Sequence, residues 1–122
     1  MLFILYFAPC DLMHHHVTRL KPHFFSDERT RERIGQEFIA FTHYWLASLY
    51  VVVEGWKELQ LRHPEIDRLI VEHEESLRRF RNAVYHFQLQ DQKHRQFFEV
   101  AKFNWAEQLH SLLRSFFETK FA

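Results

Sequence analysis

The chain has 122 residues and a mass of 15.1 kDa, enough for one compact domain covering residues 1–122. It carries 14 Phe, two Gly and three Pro, with 47% hydrophobic and 26% charged residues, so it is neither a disordered tail nor a turn-rich β-sandwich or barrel. Net charge is zero, which argues against a generic basic nucleic-acid coat. The neutrality is uneven, however. Residues 27–75 hold six basic and eleven acidic side chains, whereas residues 78–95 hold five basic and one acidic. A neutral chain with one concentrated basic stretch suggests a local anion site.

The first 25 residues form an N-terminal segment ahead of the main bundle expected over 26–121. Residues 1–8 are apolar but few, lack a positive leader and meet Pro9, which fits neither a signal peptide nor a membrane span. Pro9 and Pro22 bracket a short helical stretch, 10–21. The lone Cys10 allows no internal disulfide and fits a cytoplasmic protein.

Ser26, followed by Asp27 and Glu28, reads as an N-cap with acids behind it. Ile34, Phe38, Phe41, Trp45, Leu49, Val52, Trp56 and Leu59 then recur at steps of three and four, predicting one long helix over 28–62. A second stripe, Ile39, Leu46 and Val53, repeats every seven residues on an adjacent face. A four-helix core would leave that stripe uncovered, so it is the expected homodimer interface.

Pro64, with Glu65 and Asp67 behind it, opens the next helix, which runs to about Leu89. Its expected core stripe is Ile66, Ile70, His73, Leu77, Phe80, Val84 and Phe87. A last helix is expected over 94–121, facing inward with Phe98, Ala101, Trp105, Leu109, Leu112 and Phe116. The fold class is all-α: an up-and-down bundle of about four helices.

The passage with the most chemistry is 77–87. At about 100° per residue from Arg81, the core stripe centres near 290°, while Arg78, Asn82, His86 and Arg79 fall at roughly 60°, 100°, 140° and 160°. Guanidinium groups, an amide and an imidazole thus share the side away from the core, which suits anion binding and proton transfer. A plain solvated face would look the same. Arg81, followed at once by Asn82 and then by His86 late in a helix of a small all-α chain, resembles the signature of the HEPN superfamily, an Arg, four to six residues and a His.

Many HEPN proteins are metal-independent endoribonucleases, often toxins or defence effectors, that act as homodimers with their motifs facing each other. The resemblance implies that His86 transfers protons during attack by the RNA 2′-hydroxyl, a role for which an ordinary imidazole is suited near neutral pH. It implies that Arg81 and Asn82 hold the scissile phosphate. Arg78 and Arg79 would add to RNA binding, a cognate antitoxin would be a possible partner, and no cofactor or membrane would be involved. One toxin branch has a Tyr two positions after the His; here that position is Gln88, so regulation by nucleotidylation is not implied. The alternative is a non-catalytic helical module that binds RNA, a nucleotide or a protein.

Other constellations read as weaker. His14, His15 and His16 could ligate a metal with Asp11 or Cys10, but consecutive helical residues diverge by about 100°. Glu107 and His110 match half of the di-iron bundle signature, with no second Glu-x-x-His. No metal is expected. His73 reads as a buried, hydrogen-bonded imidazole on the core stripe, and the three Trp read as packing.

Overall fold

The structure is a computed structural model that describes the backbone of residues 2–86 and 104–121 and the side chains of residues 5, 7–82 and 104–120. The described residues form four helices, α1 (Leu2–Phe24), α2 (Glu28–Glu58), α3 (Pro64–His86) and α4 (Asn104–Phe121). They pack in sequence as an up-and-down bundle with one shared core.

The first helix departs from expectation. In place of a short stretch between two prolines, α1 is a continuous helix with Pro9 and Pro22 inside it. An interior Pro costs about 3 kcal/mol through a lost hydrogen bond and a ring clash. Burial outweighs it: Phe7, Cys10, Val17 and Leu20 all enter the core, and each large apolar side chain contributes about 1.5–3 kcal/mol. Pro22 also lies in the last turn, where there is little helix left to break.

The stripe on α2 that was expected to face a second copy is largely buried within the chain, where α2 packs against both α1 and α3. Leu46 and Val53 are both 0% exposed, and only Ile39 remains open, at 42%. The expected homodimer interface through Leu46 and Val53 is therefore incorrect. Those side chains belong to the core of a single chain. By length and composition α2 would also pass for a membrane span, but half of its apolar window is buried inside the protein.

Local chemistry sets the helix ends. Asp27, one residue later than Ser26, caps α2 by accepting the Thr30 backbone N–H at 2.7 Å. The helix stops at Glu58, four residues short of the expected end. Gln60 adopts a left-handed φ of 56°, while Gln60 N–H reaches Lys57 C=O and Leu61 N–H reaches Trp56 C=O. This is a Schellman ending with Gln where Gly is usual. At the head of α3, His63 Nδ1 accepts from Ile66 N–H, and Pro64 takes the first helical position. Asp67 accepts from both His63 N–H and the Trp56 indole N–H (2.9 Å), tying the end of α2 to the start of α3.

The inward face of α4 is rotated from the expected one. Ala106, Leu109, His110, Leu113 and Phe117 are buried, whereas Trp105, Leu112 and Phe116 lie at its margin. Apolar periodicity misplaced this face because a histidine sits at its centre. The rest of the expected helix from residue 94, with Phe98 and Ala101, lies outside the described residues, as do Phe87 and Gln88.

Candidate functional site

Two polar sites emerge. The first is the basic part of α3. Arg81 lies against α2, with its guanidinium 4.8 Å over the Tyr50 ring and Nη1 3.4 Å from Glu54 Oε1. Its Nη2 is 3.4 Å from the Asn82 carboxamide oxygen. Both polar contacts are long, so Arg81 is steered without being consumed, and its side chain stays 36% exposed. Arg78 and Arg79 are placed differently. Both reach Glu75, Arg78 through two hydrogen bonds at 2.9 and 2.5 Å and Arg79 at 3.5 Å. One carboxylate therefore offsets part of the charge expected to bind RNA. His86 is the last residue of α3, and its side chain lies outside those described.

The second site joins the two ends of the chain, and sequence reasoning missed it. It lies between α1 and α4, against Trp45 of α2. The three consecutive histidines diverge as helical geometry requires: His16 stacks on Phe41, the exposed His15 meets the edge of His16, and His14 points toward α4. There His14 Nε2 donates to Glu107 Oε2 at 2.5 Å, and its ring stacks on that of His110, centroids 4.0 Å apart. His110 in turn donates from Nε2 to Asp11 Oδ1 at 2.9 Å. Arg114 also donates to Asp11 Oδ1.

The pattern is reciprocal. Asp11-x-x-His14 on α1 faces Glu107-x-x-His110 on the antiparallel α4, each carboxylate holding the other helix's imidazole. A second Glu-x-x-His is indeed missing, but Asp11 supplies the equivalent at the same i, i+3 spacing, which brings both side chains to one helix face. Searching for any carboxylate in that pattern would have found it.

Burial and pairing set the charges. Burial drives the His110 imidazole down to about 4, against the pull of Asp11. It would raise Asp11 and Glu107, but the hydrogen bonds from Arg114 and His110 to Asp11, and from His14 to Glu107, hold both carboxyls below their usual values. Cys10 Sγ lies 3.7 Å from His110 Nδ1, completing an outline of a Cys-His-Asp row. Burial pushes this thiol well up and leaves it 0% exposed, so it is packing and not a nucleophile. On α3, His73 stacks flat on Trp105 at 4.2 Å, and burial lowers its imidazole; it is half-buried packing at the margin of the core, where a buried, hydrogen-bonded imidazole was expected. Comparison with family models, with curated proteins and with solved structures finds no match to this chain.

Proposed function

We propose that the chain is a HEPN-like, cytosolic RNA-acting protein whose reactive groups are Arg81, Asn82 and His86, cleaving RNA without a metal. The observation that supports this reading is the setting of Arg81. Tyr50 and Glu54 fix the guanidinium from one side, while its long contacts leave N–H groups available to a phosphate. A fork held in advance loses little entropy on binding an anion and can follow charge as it grows on the phosphoryl oxygens. His86, five residues on, is the proton-transferring partner that the resemblance supplies. A composite site from two copies then requires a surface other than the Leu46 and Val53 stripe, which is buried.

The test is cleavage of mixed RNAs in EDTA. Wild-type protein should leave cyclic phosphate ends, the product of 2′-hydroxyl attack. His86→Ala and Arg81→Ala should abolish cleavage, and Arg81→Lys should restore little, because a point charge does not replace a planar fork. RNA that is bound but never cut would replace the enzyme by the binding module.

A further inference from the structure

We propose that α4 is held by an acid-sensitive latch. The pairs His14–Glu107 and His110–Asp11 lock it against α1 near neutral pH, and a second proton on His110 releases α4 in mild acid while α1, α2 and α3 stay packed.

The two pairs occupy the middle of the seam. His14 Nε2 donates to Glu107 at 2.5 Å, His110 Nε2 donates to Asp11 at 2.9 Å, and the two rings stack 4.0 Å apart. Around them α4 adds Ala106, Leu109, Leu113 and Phe117 to the core. The other three helices share the larger part of it, including Val17, Phe38, Leu46, Val53, Ile66, Leu77 and Phe80. They are tied to one another by bonds that involve no imidazole: Arg31 to the Phe24 C=O, the Trp56 indole to Asp67, and Lys57 to Glu74. Acid therefore strikes the α4 seam first.

Docked, His110 has no place for a second proton. Its Nδ1 accepts from the Trp45 indole, which can only donate, and the nearby Cys10 Sγ (3.7 Å) is a weak acceptor. The charged and titratable groups that face it are Asp11, His14 and Cys10 on α1 and Glu107 and Arg114 on α4, while α2 presents the Trp45 indole. Burial outweighs the attraction of Asp11, and Arg114 and any charge on His14 oppose the proton as well, so the docked imidazole lies at about 4. Released into water it returns to the ordinary 6.5. The released state thus binds more protons between these values, and docking weakens as pH falls through them. His73 on α3, stacked on Trp105 of α4 and also lowered by burial, acts in the same sense.

The test is native-state hydrogen exchange on the full-length protein in chelator, read on peptides from α2, α3 and α4 and corrected for intrinsic exchange rates. Protection of α4 should drop about 30-fold from about pH 7.5 to pH 5, the ratio set by values of 6.5 and about 4. At the lower pH, α4 should exchange through an opening with a weaker urea dependence than that of α2, because less surface is exposed. His110→Gln, whose amide accepts from Trp45 and donates to Asp11 but takes up no proton, should remove most of the drop. Trp45→Phe, which deletes the opposing N–H, should reduce it. The readout is a ratio between two pH values, so a general loss of stability in either variant does not mimic the effect. His15→Ala, exposed on the same face of the chain to solvent, should leave the drop unchanged. Equal protection and equal urea dependence for α4 and α2 at the lower pH, or a full drop in His110→Gln, overturns the proposal.

Discussion

Trp45 donates its indole N–H to Nδ1 of His110 at 3.1 Å, and this one contact fixes the imidazole in a single tautomer with its proton aimed at Asp11. A second proton on His110 would set an N–H against an N–H at Trp45, in a place 1% exposed and beside the stacked ring of His14. The groups facing His110 are Asp11, His14 and the un-ionised Cys10 on α1, Trp45 on α2, and Glu107 and Arg114 on its own helix. The folded protein thus requires His110 neutral.

That requirement predicts an acid-labile fold. The unfolded chain takes up a proton at His110 near the ordinary value of 6.5, whereas the folded one resists to about 4, chiefly because of burial. The unfolded state therefore binds more protons across this window, and stability falls as pH is lowered through it. The loss amounts to about 3 kcal/mol by pH 4, at 1.36 kcal/mol per unit. Asp11 and Glu107, held low by their partners, add losses at more acid pH. Urea midpoints in chelator should be flat above about pH 7.5 and decline steadily below 6.5. Equal midpoints at pH 7 and pH 4.5 would contradict this role for His110.

Most of the helical framework was legible because its signals are local. Asp27 and Pro64 mark helix starts, and the three-four steps from Phe38 to Trp56 mark a buried face. What stayed hidden depended on partners distant in sequence. Pro9 and Pro22 read as breakers because nothing local reveals the apolar face of α2 that holds α1 in register. His110 was left off the expected core face because its partners, Trp45 and Asp11, lie 65 and 99 positions away. Apolar periodicity cannot find a buried face with an imidazole at its centre. The pairing of Arg78 and Arg79 with Glu75, by contrast, was readable from spacings of three and four.

Gln60 offers a stabilising substitution. Its φ of 56° is left-handed, which strains a residue with a Cβ but not Gly. The Schellman bonds that need this conformation are made by the backbone and survive the change. Gln60→Gly should raise stability by about 0.5–1 kcal/mol, the strain relieved less the extra entropy of an unfolded Gly. Denaturant melts at neutral pH measure it, and a loss of stability would show that the Gln60 side chain contributes more than its backbone strain costs.

The last prediction separates a single-chain core from an oligomer surface. Leu46 and Val53 are fully buried, so Leu46→Glu or Val53→Glu places a carboxylate among apolar neighbours with no partner. Such a change should unfold the protein, because it costs several kcal/mol in a domain of which the whole stability is about 5–15 kcal/mol. Leu46→Ala, which only opens a cavity, should cost about 2–5 kcal/mol and leave a cooperative transition. Ile39→Glu changes a side chain that is already 42% exposed and should shift stability little. Circular dichroism with sedimentation distinguishes the cases. A Leu46→Glu protein that stays helical and changes only its oligomeric state would return this face to the role that its spacing first suggested. Loss of helicity together with stability places it inside one chain.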